Sequence, residues 1–170
     1  ASKKINEIMT YSFSASYKLP STSLRFFTVY GPYGRPDMFL FKLVKAITEK
    51  KKINIHNFGN HERDFTYVGD VAESIVKLIK FSPTKDTPYN TFNIGSNKPT
   101  KLKKFINIVE EKFKKKAMKK NIKLQKGDVI KTHSSNIKLV KKINKTKFVD
   151  IETGITRFIE WYINYYKIKL

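Results

Sequence analysis

Four arginines, at positions 25, 35, 63 and 157, stand among the 35 basic residues of this chain; the rest are lysines. A guanidinium offers a planar, two-pronged set of donors that an ammonium cannot copy. In a chain so biased to Lys, a remaining Arg marks a place that needs that geometry. Arg35, in Gly34-Arg35-Pro36-Asp37, and Arg63, in Arg63-Asp64-Phe65-Thr66, are the candidates to hold a phosphate or a carboxylate. Arg25 reads as a packed strand residue and Arg157 as a helix-face residue. Asp64 and Asp70 could form an acid/base pair, or serve in a turn and a cap. His56, His61 and His133 show no metal-ligand spacing. With no Cys there is neither a thiolate metal site nor a disulfide framework.

These side chains need a scaffold of alternating strands and helices. Residues 3–17 carry Ile5, Ile8, Met9 and Phe13 on a helical stripe, and Pro20 ends that element. Ser23–Tyr30 is dense in aromatic and β-branched residues and reads as a buried strand. Gly31-Pro32-Tyr33-Gly34 is a turn. Asp37 caps a helix running to about Lys50, with Leu40, Phe41, Val44 and Ile47 inward. Short strands follow at Ile53–Phe58 and Asp64–Val68. Asp70-x-x-Glu73 resembles a capping box ahead of a helix that buries Val71, Ile75, Leu78 and Ile79. Thr91–Ile94 is a strand, and Thr100 opens a helix with Leu102, Phe105, Ile106, Val109 and Phe113. The Lys-rich stretch 112–120 is the nearest thing to low complexity. Ile122–Leu124 is a short extended segment. A short helix at Asn136–Lys142 precedes a last one opened by Asp150 or Thr153. The alternation argues for an α/β or α+β domain. There is no Gly-x-Gly-x-x-Gly after a strand, hence no visible cradle for a dinucleotide phosphate.

The 170 residues suffice for about one domain, and 13 Phe and 9 Tyr can fill its core. No apolar run reaches the roughly 18 residues of a membrane span. A cytoplasmic home is the default. The formal net charge of +21 raises the question of nucleic-acid binding. The lysines are scattered, with clusters at 50–52 and 114–116, and base readers favour Arg. They read as solvated surface, with neither nucleic acid nor membrane as partner.

The run Leu24-Arg25-Phe26-Phe27-Thr28-Val29-Tyr30-Gly31-Pro32, followed by Gly34-Arg35-Pro36-Asp37-Met38, resembles the nucleotide-sugar epimerase branch of the extended short-chain dehydrogenase/reductases, in particular the UDP-glucuronate 4-epimerases. Arg63-Asp64-Phe65, Asn93-Ile94-Gly95, Gln125-Lys126-Gly127-Asp128 and the closing Gly154-to-Tyr162 helix follow in the family's order. Ala1-Ser2-Lys3 matches the end of the family's Tyr-x-Ala-Ser-Lys motif, which puts the Tyr two residues before Ala1 and cuts the chain inside an active site.

The resemblance implies the C-terminal part of a Rossmann-type α/β enzyme. Residues 1–35 would end the dinucleotide-binding domain. Residues 36–170 would form mainly a smaller α+β substrate-binding region, with some elements returning to the Rossmann sheet. It implies Lys3 as the catalytic residue that binds the nicotinamide ribose and lowers the pKa of the Tyr, with Phe26 and Val29 on the NAD side. Thr28, Arg35, His56, Phe58, Arg63, Gln125 and Asp128 would contact a UDP-sugar. The implied reaction interconverts UDP-glucuronate and UDP-galacturonate through transient oxidation at C4, in polysaccharide biosynthesis. Residues 1–170 alone are expected to bind NAD poorly and not to turn over. A nucleotide-sugar 4,6-dehydratase is the alternative enzyme, and a basic nucleic-acid module the alternative of another class. The family also implies a homodimer through the first helix.

Overall fold

A computed structural model describes residues 1–169. It begins with α1 (Ser2–Tyr17), which ends as Lys18 turns into the left-handed region at φ 53°. The expected strand over 23–30 is two strands, β1 (Ser21–Phe26) and β2 (Thr28–Tyr30), broken at Phe27 so that each joins a different sheet. Helix α2 (Phe39–Thr48) and β3 (Lys52–His56) follow, then β4 (Glu62–Tyr67) and α3 (Val68–Ile79). Next come β5 (Tyr89–Ile94), β6 (Pro99–Lys101), α4 (Leu102–Phe113) and β7 (Met118–Ile122), and finally α5 (Ile137–Ile143) and α6 (Ile151–Tyr166).

Strand β5 lies parallel beside β1, in register from Ser21↔Tyr89 to Phe26↔Ile94. Strand β2 lies parallel to β4, which also pairs antiparallel with β6. Strands β3 and β7 form a separate parallel pair. Parallel pairing needs long crossovers, which the helices supply. Two cores result. In the larger one, Tyr30, Phe65, Phe105, Ile155 and Phe158 join the inner faces of α2, α4 and α6. The smaller one gathers Val71, Leu78, Phe92, Ile94, Leu139 and Ile143 around the β1–β5 pair.

Asp64, fully buried, ties these parts together. Its Oδ1 accepts from Ser96 N (2.9 Å) and Ser96 Oγ (2.8 Å). Its Oδ2 accepts from Ser134 N (2.9 Å), Ser134 Oγ (2.6 Å) and Asn97 N (3.1 Å). The carboxylate thus serves as a structural tie, set within strand β4 rather than in a turn.

Several local expectations change. Asp37 does not cap α2; Met38 holds the N-cap position while Asp37 turns to Arg35. Asp70 and Glu73 form no capping box, because Lys145 is buried between them at 2.9 and 2.5 Å. A buried ammonium demands paired carboxylates, and Asp70 also accepts from Val149 N at 2.8 Å. Ile79 is exposed rather than buried, since the last turn of α3 runs past the sheet. Asp150 does cap α6, accepting from Thr153 N at 2.8 Å.

Candidate active site

The turn after β2 opens a cleft of about 340 Å³. Thr28 and Val29 form one wall, Arg35 and Met38 stand at the loop, and Phe65, Phe105 and Phe158 lie behind. Gly31 makes the turn possible. Its φ is +137°, and a Cβ there would come within 3.1 Å of the Tyr67 ring. Tyr33, passed over in the sequence, holds the left-handed conformation at φ 59°, is 80% exposed, and leans on the Trp161 ring at 5.2 Å. Its signal was its place between two glycines in a turn. A non-Gly residue held at positive φ stores strain that often accompanies function.

Arg35 is bound at one edge: its Nε and Nη2 donate to the two Asp37 oxygens at 2.9 and 2.5 Å. That bond holds the Asp37 carboxyl below the usual carboxylate range. The opposite guanidinium edge remains for an anion, which suits a planar acceptor such as a carboxylate or phosphate. Tyr30, by contrast, is a packing group. Burial, with Asp150 and Asp70 nearby, pushes its phenol up and keeps it neutral.

A second group assembles at the start of β4. Arg63 Nη2 donates to Asp128 Oδ1 at 3.0 Å, and Nη1 to the Ile130 carbonyl at 3.0 Å. His61, buried, sets Nε2 3.0 Å from Asp128 Oδ2, within ion-pair reach but outside the angle of a hydrogen bond. Gln125 closes this loop through its carbonyl, which accepts from Asp128 N at 3.1 Å, and Gly127 turns it at φ 84°. So Arg63, Gln125 and Asp128 come together, although 65 positions separate Arg63 from Asp128. Arg63 precedes by two residues Phe65, the register partner of Thr28.

The other candidates sit apart. His56, at the end of β3, faces a hollow with Asp37 and Phe39, while Phe58 faces another with Ile55 and Lys103. Phe58 is half-exposed at φ 52°. Lys3 is exposed on the first turn of α1. One turn along, Glu7 is clasped by Arg25, whose Nε and Nη2 donate at 2.7 and 2.6 Å. Arg25 is therefore an ion-pair residue, 46% exposed, rather than a packed one. The clasp brings the start of α1, with Lys3, to the end of β1 that carries Phe26, half-exposed. Among the described residues no cluster of His, Cys, Asp and Glu could hold a metal.

The sequence model of the NAD dependent epimerase/dehydratase family matches residues 1–95. The chain belongs to that family. It is 44% identical, over 98% of its own length and 54% of the relative's, to Protein CapI of Staphylococcus aureus. A probable UDP-glucuronate 4-epimerase of Rhizobium meliloti is 38% identical over 98% of the chain and 53% of that protein. Among solved structures, UDP-glucuronic acid 4-epimerase from Bacillus cereus, in complex with UDP-glucuronic acid and NAD, superposes with a TM-score of 0.86 at 27% identity. That superposition covers 94% of the chain and 50% of the other. The chain spans about half the length of the curated relatives it matches. Membership accounts for the Rossmann-type α/β architecture, with its parallel strand pairs and crossover helices. In open α/β sheets the usual ligand location is the carboxyl ends of the parallel strands, and there the turn after β2 opens its cleft.

Proposed function

We propose that this chain supplies the nucleotide-sugar side, and part of the NAD side, of an epimerase that interconverts UDP-glucuronate and UDP-galacturonate. The observation that carries the reading is the Arg63–Asp128 pair. Two residues from separate motifs meet at 3.0 Å, and together they offer a guanidinium to a diphosphate and a carboxylate to ribose hydroxyls. Thr28 and Arg35 then face the sugar, the hydroxyl and the free guanidinium edge matching a uronate carboxylate. Gln125 adds an amide beside the nucleotide; His56 and Phe58, which face two separate hollows, are assigned to the uracil on the resemblance of their segment alone. The relatives named for UDP-glucuronate support this substrate class.

Lys3, Phe26 and Val29 fit the nicotinamide end of NAD. An ammonium and an aromatic surface stand at one end of β1, with an apolar side chain just beyond. Held by Lys3, Phe26 and Val29, NAD would supply reversible hydride chemistry at the sugar's C4. Lys3 holds positive charge beside the ribose and favours the ionised form of a neighbouring phenol. Val29 and the phenyl rings of the cleft exclude water. Exposed Ile5, Ile8, Met9 and Phe13 on α1 support pairing of two copies through that helix. The parent enzyme is placed in the cytoplasm, in polysaccharide biosynthesis.

Calorimetric titration with UDP-glucuronate tests the reading. Binding should exceed that of UDP alone, and Arg63→Lys should weaken it by about 10–100-fold, the worth of one charge-assisted hydrogen bond. Equal binding by wild type and Arg63→Lys would overturn the assignment of Arg63.

A further inference from the structure

The two lysine clusters that look scattered in the sequence become neighbours in the fold. Strand β3 starts at Lys52 and β7 at Met118, and the two run parallel with Lys52 opposite Met118. Lys50-Lys51-Lys52 and Lys114-Lys115-Lys116 therefore lie side by side at the same end of the β3–β7 pair. Farther along, Lys120 stands opposite Asn54. Ile53 and Ile55 point into the core, so Lys52, Met118, Asn54 and Lys120 share the outer face. All these lysines are exposed.

Nearby carboxylates neutralise only part of this end. Glu49 pairs with Lys51 at 2.7 Å, and Glu110 with Lys116 at 3.1 Å and Lys119 at 2.7 Å. Among the described residues, Lys50, Lys52, Lys114, Lys115 and Lys120 form no ion pair with a carboxylate. The patch contributes no wall of the cleft, and its Lys51, Lys52 and Asn54 border the hollow that His56 faces.

We propose, against the expectation of no membrane partner, that this end of the molecule docks on an anionic phospholipid surface. The composition of the patch favours lipid over nucleic acid. It contains no Arg for bidentate contacts and no aromatic ring on which a base could stack, both usual in nucleic-acid readers. It consists of compact point charges around one exposed apolar side chain, Met118, at 46% exposure. A diffuse sheet of headgroup charge asks for no fixed geometry, and each Lys near it strengthens binding about fivefold. The inference does not depend on the proposed epimerase reaction.

The test is co-sedimentation of the chain with vesicles of phosphatidylcholine containing phosphatidylserine, against vesicles of phosphatidylcholine alone. Because the whole chain is basic, the decisive comparison is between two charge-matched variants. One carries Lys52→Gln, Lys115→Gln and Lys120→Gln. The control carries Lys85→Gln, Lys141→Gln and Lys147→Gln, three exposed lysines elsewhere. Both should melt as the wild type does. The patch variant should lose about a hundredfold in partitioning to the phosphatidylserine vesicles, and the control far less. Wild-type binding should also fall steeply between 0.1 and 0.5 M salt, as the screening length shrinks. Equal losses in the two variants would overturn the proposal and leave net charge alone as the cause. So would absence of binding to phosphatidylserine vesicles, or tight binding to a duplex DNA probe without binding to vesicles.

Discussion

Asp64→Asn separates a structural carboxylate from a chemical one. The substitution keeps size and shape but replaces one oxygen by an NH2 group. Either orientation of the amide is unfavourable. If the nitrogen takes the Oδ1 position, it confronts Ser96 N and Ser96 Oγ; at Oδ2 it confronts Asn97 N, Ser134 N and Ser134 Oγ. Some backbone groups keep a second acceptor: Ser96 N has Thr66 Oγ1 at 3.1 Å, and Asn97 N has Ser134 Oγ at 3.1 Å. The hydroxyls can rotate. The net loss is therefore about two charge-assisted hydrogen bonds, each worth about 1.5–3 kcal/mol, so about 3–6 kcal/mol in all. At about 2–4 °C per kcal/mol for a domain of this size, the melting temperature should fall by at least about 6 °C. Urea and thermal unfolding, followed by circular dichroism, measure it. Thr66→Val is the graded comparison. It removes the 3.4 Å contact to Asp64 and the second acceptor of Ser96 N, and should cost less than half as much. An Asp64→Asn protein that melts within about 1 °C of wild type, yet no longer binds UDP-glucuronate, would refute the structural reading and make Asp64 a ligand contact.

Two further predictions rest on packing and charge. Gly154, inside α6, lies against the Tyr30 ring, and an added Cβ would come within 2.7 Å of Cζ. Gly154→Ala should thus destabilise the fold by about 1–3 kcal/mol through overpacking, despite the better helix propensity of Ala, and Tyr30→Phe should recover part of that loss in urea unfolding. Glu110 concerns acid stability. Burial pushes its carboxyl up, but bonds from Lys119, Ala117 N and Lys116 outweigh this and leave it below its ordinary value. A depressed folded value means that the contribution is complete above the unfolded value, about pH 4.3, and fades as pH falls through the folded one. Glu110→Gln should lower stability at pH 7 and flatten the decline between about pH 5 and pH 3. An unchanged acid limb would show that the buried pairs do not set it.

Much was legible in the chain itself. Helical periodicity located α2, α4 and α6 to within a few residues, because each buries one apolar stripe whose spacing the sequence displays. The turn residue Gly31 stood out for the conformation it does adopt. The motifs around Arg35 and Arg63 singled out candidate anion ligands because Arg is rare in this chain. Strand β7 was not legible. Met118-Lys119-Lys120-Asn121-Ile122 has neither alternation nor β-branched density, and it extends because β3 offers its backbone a row of partners. Asp70 and Glu73 look like a cap locally, yet Lys145, more than 70 positions away, claims both.

Hydrophobic periods along the chain determined the α/β class, its motifs carried the resemblance to the family, and the scarcity of Arg marked the candidate anion ligands. Only the tertiary structure decided which distant residues meet: Arg63 with Asp128, and the two lysine clusters side by side. The reason is that local pattern records which face a residue must bury. Parallel strand pairing and the satisfaction of buried charge join residues far apart in sequence, and no short window contains both partners.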